Sequence, residues 1–137
     1  MTISEQISEL NTEVKCCLRP SPIHGIGVFS LRDIKKGERC YCKPNQFRKW
    51  YSIPYERLNE LRPEIKEIIL QRWGSVINKS QFLSPNDDAW LILFTNHSYE
   101  PNYLVSTDLA LKDISVGEEV VQDYSLMKNA KQIFKFL

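Results

Sequence analysis

The chain has 137 residues, of which 42% are hydrophobic and 26% are charged. This length fits one domain with a buried core, and the composition excludes the disordered and collagen-like classes. The formal net charge is +1 and the apolar run at residues 89–94 is too short to cross a bilayer, so we expect neither nucleic acid nor a membrane as a partner.

The N-terminal segment, residues 1–14, carries Ile3, Ile7 and Leu10 at helical spacing among polar residues. This pattern predicts a short amphipathic helix that docks on the domain or on a second copy of the chain, and a frayed terminus is the alternative. The segment lacks the basic start and apolar run of a secretory signal, so we expect an intracellular protein, cytoplasmic or nuclear. Two short strands are predicted next, near residues 15–18 and 28–31.

A helical insert is predicted at about residues 54–74. Its apolar residues recur every three or four positions, and Pro54 and Pro63 mark the beginnings of two short helices because proline is tolerated in a helix's first turn. The second helix should end before Gly74. The apolar run that follows the loop at residues 84–88 fits either a buried strand or a helical turn.

One six-residue pattern occurs twice, as DIKKGE at residues 33–38 and as DISVGE at residues 113–118. In each copy the Asp can cap a turn, the Ile can point inward and the Gly can adopt a positive φ. We therefore expect two matching strand-turn-strand units.

The four cysteines are Cys16, Cys17, Cys40 and Cys42. Neither pair has the two-residue gap that is typical of a zinc-binding loop. We therefore expect buried free thiols and no metal site.

Three separated stretches carry residues that could form a site. Gly25-Ile26-Gly27 lets the backbone approach a ligand closely, although it lacks the third glycine of a dinucleotide-binding turn. Asn96-His97-Ser98 follows an apolar run, so its polar side chains should lie at the edge of the core. Tyr124 ends a predicted strand, where a buried ring can present its hydroxyl to a cavity. An ordinary turn, a polar cap and a core tyrosine are the respective alternatives.

Together, in this order, the stretches resemble the SET-domain methyltransferase family from about Lys15 to Tyr124. The first motif is HGIGVF at residues 24–29 with the first hexapeptide, and the central motif is NHS at residues 96–98 with Pro101-Asn102. The last motif is the second hexapeptide with Glu119 and Asp123-Tyr124. The resemblance implies a β-rich mixed α+β fold: several small β-sheets, the short helical insert and a C-terminal pseudoknot.

On this basis the SET domain spans residues 15–126 and is followed by a short tail, residues 127–137. The resemblance implies a protein-lysine N-methyltransferase that transfers a methyl group from S-adenosylmethionine to a protein or peptide substrate, a histone tail being one candidate. Tyr124 is implied as the catalytic residue. The implied cofactor-binding residues are His24, Gly25, Ile26, Gly27, Asn96 and His97.

Some positions depart from the family pattern. Tyr99 stands where the family usually has cysteine, and the tail contains no cysteine, so we expect no zinc-binding segment there. Lys43 stands about where many members have a second tyrosine in the channel that admits the lysine. The candidates to line this channel are Tyr41, Tyr51, Tyr103, Phe134 and Phe136.

Other functions remain open at this point. A SET fold could bind a peptide or the cofactor without catalysis, and a cysteine hydrolase could pair one of the four thiols with His97. The small size and the amphipathic N-terminus also suggest a homodimer.

Overall fold

The computed structural model describes residues 1–40, 50–72, 75–76, 79–83, 88–127, 129–133 and 136–137, and between residues 71 and 90 it describes only the backbone. The helices are α1 (Ile3–Glu13), a 3-10 helix (Tyr55–Glu60), α2 (Pro63–Arg72), α3 (Asp88–Leu93), a second 3-10 helix (Tyr124–Leu126) and α4 (Ala130–Ile133). The strands are β1 (Cys16–Pro20), β2 (Ile26–Ser30), β3 (Trp50–Pro54), β4 (Ser75–Val76), β5 (Lys79–Leu83), β6 (Asn96–His97), β7 (Tyr103–Leu104), β8 (Leu109–Ala110) and β9 (Glu119–Gln122).

The N-terminal helix α1 packs on its own domain. Thr2 caps it through a reciprocal pair of hydrogen bonds with Glu5, and its apolar face buries Ile7 and Leu10. The Ser52 amide of β3 donates to a Gln6 side chain on α1 at 2.9 Å. The predicted amphipathic helix therefore exists, and its apolar face is used within the chain.

The predicted helical insert consists of the first 3-10 helix and α2. Both begin at or just after the prolines that marked them, and α2 ends at Arg72. Gly74, the predicted stop, lies outside the described residues. The ambiguous apolar run after residue 88 is the helix α3.

The strands form three small sheets. One has the order β1-β2-β9-β6, the second β3-β5-β4 and the third β7-β8. In the first sheet β9 pairs antiparallel with β2 and parallel with β6. This sheet therefore places the three motif-bearing stretches side by side, and the predicted β-rich mixed α+β class is confirmed.

The loop at residues 98–102 holds β9 against β6. Asn102, which is 2% exposed, accepts from the Val121 amide at 2.9 Å and donates through its side chain to the Glu119 carbonyl at 2.8 Å. The Ser98 amide donates to the Gln122 carbonyl at 2.9 Å. These bonds keep the C-terminal segment beside the loop, as the predicted pseudoknot requires.

Two apolar clusters stabilise the domain. The helical cluster joins α1, the insert and β3, and Ile65 and Ile69 of α2 are fully buried in it. The sheet cluster lies between the first and third sheets around Val28 and Val120. Strand β1 separates the two clusters, because consecutive side chains of a strand point to opposite faces: Cys16 belongs to the sheet cluster and Cys17 to the helical cluster.

The two hexapeptides pair with each other. Ile34 and Ile114 exchange both backbone hydrogen bonds at 2.8 Å, and both side chains are buried. Each Asp caps a turn, as predicted, but the turn is that of the opposite hexapeptide: Asp33 accepts from the Val116 amide and Asp113 from the Lys36 amide, at 2.9 Å in both cases. The glycines do have positive φ, 86° and 82°. The repeat therefore forms one reciprocal contact of two turns joined by a two-residue bridge.

No helix in the described ranges is both long and apolar enough to cross a bilayer.

Candidate functional site

A tight turn precedes β2. Gly25 has φ +48°, which favours glycine, and its carbonyl accepts from the Ser21 amide at 2.8 Å. The Ser21 hydroxyl accepts from the Ile23 amide at 3.0 Å and so fixes the middle of the turn. Residues 22–26 are exposed whereas Gly27 is buried, so the turn forms a rim over the sheet.

Asn96 joins this turn to the central motif. It is 7% exposed, and its amide nitrogen lies 3.1 Å from the His24 carbonyl oxygen and 3.3 Å from that of Ile26. A third acceptor, Oε2 of Glu119, lies at 3.0 Å. Side-chain hydrogen bonds thus bring together residues that are 70 and 72 positions apart in the chain.

The Glu119 carboxylate lies beneath the turn. It accepts from the Ser21 hydroxyl at 2.7 and 2.9 Å, and a Cβ added at Gly27 would lie 2.4 Å from Oε2. Gly27 is therefore required by the close approach of this carboxylate. Sequence reasoning did not identify Ser21 or Glu119 as site residues. The sequence did contain one signal for Glu119. It lies on a predicted strand, whereas the preceding glutamate, Glu118, lies at the end of an exposed turn.

His97 joins the central motif to the last one. Its Nδ1 accepts from the Tyr124 amide at 3.0 Å, so Nδ1 carries no proton and the neutral ring has its hydrogen on Nε2. Nε2 is buried and has no hydrogen-bond partner among the described residues. The ring packs edge-on against Tyr99 at a centroid distance of 4.4 Å. Asp123 also lies close, with Oδ1 3.8 Å from Nδ1.

Tyr124 begins the second 3-10 helix directly after β9. Its hydroxyl donates to the Thr95 carbonyl at 2.6 Å, and its ring lies 5.2 Å from that of His97. Burial raises the pKa of the phenol above its ordinary value, so the hydroxyl remains protonated at neutral pH. Because Thr95 immediately precedes Asn96, the hydroxyl is tied to the same stretch of chain that reaches the glycine turn.

The five candidates for the channel lie in different places. Phe136 lies beside the site, with its ring 5.7 Å from His97 and 6.3 Å from Tyr124. Tyr51 belongs to the helical cluster, where burial, and then Glu9, raises the pKa of its phenol. Tyr103 is fully buried in the sheet cluster.

The Tyr103 hydroxyl donates to Asp108 at 2.8 Å. Tyr41 and Phe134 lie outside the described residues, as does Lys43. Of the three described candidates, Phe136 is the one whose ring lies beside both site rings.

The described cysteines do not form a nucleophilic centre. Cys16, Cys17 and Cys40 are buried free thiols. Burial raises the pKa of Cys40 to about 12 and raises that of Cys16 well above its ordinary value. A thiol that stays protonated is a poor nucleophile, which argues against a hydrolase based on these residues. Cys42 lies outside the described part of the chain.

Comparisons with known proteins identify the family of this chain. The sequence profile of the SET domain matches residues 25–125. A variant-silencing SET domain-containing protein of Plasmodium falciparum (isolate 3D7) is 30% identical over 119 aligned residues. The alignment covers 74% of this chain, and the chain spans about 4% of the length of that curated relative.

Two solved structures are also similar. One is a Plasmodium falciparum protein described as a candidate histone methyltransferase, with 21% identity, a TM-score of 0.38, and coverage of 82% of this chain and 95% of that one. The other is the Polycomb Repressive Complex 2 of Chaetomium thermophilum, with 16% identity, a TM-score of 0.38, and coverage of 89% and 17%. The profile match includes the glycine turn, Asn96 and Tyr124, and it extends over most of the chain. The chain therefore belongs to the SET-domain family.

Proposed function

We propose that this protein transfers a methyl group from S-adenosylmethionine to a lysine side chain of an intracellular protein, with histone tails among the candidate substrates. Membership of the SET-domain family supports this reaction class. The observation that carries the proposal is the pair of bonds from Asn96 to the His24 and Ile26 carbonyls. These bonds join the glycine turn, which would face the cofactor, to the segment around Asn96, which also contacts Tyr124.

The residues around the turn fit a ligand with a cationic amino-acid end. Carbonyl oxygens of residues 24 and 26 converge with the Asn96 side chain, and Gly25 leaves the exposed backbone of the turn accessible, since nothing lies within 4 Å of a Cβ added there. These groups, with the backbone of Gly25, Gly27 and His97, would hold the cofactor. When bound, S-adenosylmethionine supplies a methyl group that is already activated by its sulfonium sulfur.

Tyr124 is suited to orient the accepting amine. Its hydroxyl donates its proton to the Thr95 carbonyl, and a phenol oxygen is also able to accept a hydrogen bond from an amine N–H. A hydroxyl with a raised pKa does not act as the base at neutral pH, so the lysine must reach the site as a neutral amine. Partly apolar surroundings lower the pKa of an amine and favour that form. The His97 bond to the Tyr124 amide fixes the backbone that carries the ring.

The test is methyl transfer from isotopically labelled cofactor to lysine-containing peptides and intact candidate proteins, read by mass spectrometry. We expect wild-type protein to label lysine and Tyr124→Phe to reduce the rate about one hundredfold, a loss typical of one hydrogen-bonding group in an active site. Tyr55→Phe is the matched control, because Tyr55 is exposed on the first 3-10 helix. Cofactor binding without transfer to any substrate would favour a binding module, and absence of cofactor binding would overturn the proposal.

A homodimer remains a separate hypothesis. The amphipathic face of α1 was one of its two grounds, and that face is buried against the same chain. Light scattering measures the oligomeric state directly.

A further inference from the structure

The Asn96 side chain lies among more acceptors than it can satisfy. Its amide nitrogen carries two hydrogens, yet three oxygens lie within 3.3 Å of it: the carbonyls of His24 and Ile26 and Oε2 of Glu119. An ammonium group has three hydrogens and a positive charge. The three oxygens therefore match an ammonium group in number and exceed what the amide can use.

Charge points in the same direction. Glu119 is half-buried, and its hydrogen-bond partners within the described residues are the neutral side chains of Ser21 and Asn96. No cationic side chain of the described residues forms an ion pair with it. A partly desolvated carboxylate with only neutral partners gains from a cation placed beside it.

The position of the carboxylate is fixed from two sides. The Ser21 hydroxyl holds both of its oxygens from the turn, and the bare Cα of Gly27 leaves the space that Oε2 occupies. A carboxylate held in one place loses little conformational freedom when a ligand binds, which is the requirement for selective recognition.

We infer that Glu119 recognises the ammonium group of the cofactor's amino-acid end, together with the carbonyls of His24 and Ile26. This inference rests on the proposed function, since it deepens the assignment of the same site. Glu119 then selects ligands that carry the charged amino group over ligands that share only the adenosine thioether. The competing explanation is that Glu119 only stabilises the glycine turn through Ser21, in which case its loss would affect the three ligands equally or not at all.

The experiment is isothermal titration calorimetry of the full chain with S-adenosylmethionine, S-adenosylhomocysteine and 5′-methylthioadenosine, which lacks the amino-acid end. We expect Glu119→Gln to weaken binding of the first two ligands about tenfold to one hundredfold, as for loss of a hydrogen bond to a charged group. Binding of 5′-methylthioadenosine should change less than about twofold, because no ammonium is present. Glu118→Gln, a change in the neighbouring exposed carboxylate of the turn, should alter none of the three.

The outcomes separate the two levels of inference. Wild-type protein that binds none of the ligands overturns the proposed function and this inference with it. Wild-type binding with an equal loss for all three ligands in Glu119→Gln, or with no loss, overturns the inference alone and leaves the function standing. Thermal unfolding without ligand checks the fold of each variant. If Glu119→Gln does not fold, the same titrations are carried out with Glu119→Asp. The shorter side chain keeps the negative charge but moves it away from the ammonium group, so the same selective loss of affinity is expected.

Discussion

Replacement of Gly27 by alanine should displace the carboxylate under the glycine turn. The new Cβ would lie 2.4 Å from Oε2 and 2.9 Å from Cδ of Glu119, and 3.0 Å from Cβ of Ser21. The first distance is far inside van der Waals contact, so the carboxylate must move. That movement breaks its bonds to Ser21 and Asn96.

The cost follows from those bonds. A hydrogen bond to a charged group contributes about 1.5–3 kcal/mol, and two are lost, but water replaces part of them because Glu119 is only half-buried. We therefore expect a loss of about 2–3 kcal/mol in the free energy of unfolding. For 137 residues, an unfolding entropy of about 2.1 cal/mol/K per residue converts each kcal/mol into about 3.5 °C, so Tm should fall by about 7–10 °C.

The assay is thermal and urea unfolding of Gly27→Ala, Glu119→Ala and the double variant. Since Gly27→Ala already displaces the carboxylate, Glu119→Ala should add less than about 0.5 kcal/mol in its background. Gly25→Ala is the comparison: nothing lies within 4 Å of its added Cβ, so only backbone strain of about 1–2 kcal/mol is expected. Strictly additive losses for Gly27→Ala and Glu119→Ala would refute the steric reasoning.

Three further predictions concern the fold. Asp33→Ala and Asp113→Ala should each lower the free energy of unfolding by about 1 kcal/mol, because each removes one acceptor that lies 2.9 Å from an amide of the opposite hexapeptide. Urea unfolding measures both losses, and values that differ by more than about 1 kcal/mol would contradict the reciprocal pairing. The Cys16 and Cys40 thiols should resist alkylation at pH 8.5 until the protein is unfolded. Rapid alkylation of the native protein would contradict their burial. Burial also raises the pKa of Cys40 to about 12 in the folded protein, so the stabilisation it gives is present below the unfolded pKa of about 8.5 and is lost as pH rises toward 12. The urea midpoint should therefore fall over that pH range. Asn11→Ala should weaken the packing of α1 on the insert, because the Asn11 side chain accepts from the Arg62 amide at 2.8 Å and donates to the Glu60 carbonyl at 2.9 Å. Amide hydrogen exchange in α1 should become faster, and an unchanged exchange rate would count against this docking.

Local patterns in the sequence predicted much of the fold. The spacing of Ile3, Ile7 and Leu10 was sufficient for α1, and the prolines marked the beginnings of the insert's helices. These features depend on neighbours within one or two turns of chain, which sequence periodicity reports directly. The side on which α1 docks depends on β3, which lies 46 positions away at the Gln6–Ser52 hydrogen bond, and no local pattern encodes it.

The candidate site shows the same division. The residue types at Gly25, Asn96 and Tyr124 were visible in the sequence, and the resemblance to a family supplied their convergence. Glu119 was part of the last motif but was not identified as a site residue, because its role depends on strand register. β9 places it beside Gly27, whereas Glu118 is exposed and accepts from the Ser115 amide of its own turn. A shift of one residue exchanges the two faces of a strand, so the sequence alone could not choose between the two carboxylates.

A nitrogen–proton correlation NMR titration with S-adenosylhomocysteine tests most directly whether the three motifs form one cofactor site. We predict that the amide signals of Gly25, Gly27, Asn96 and Tyr124 shift together along one binding curve, while signals of α2 in the helical cluster stay in place. Shifts confined to α1 and α2, or saturating binding that leaves these four amides unchanged, would contradict the account.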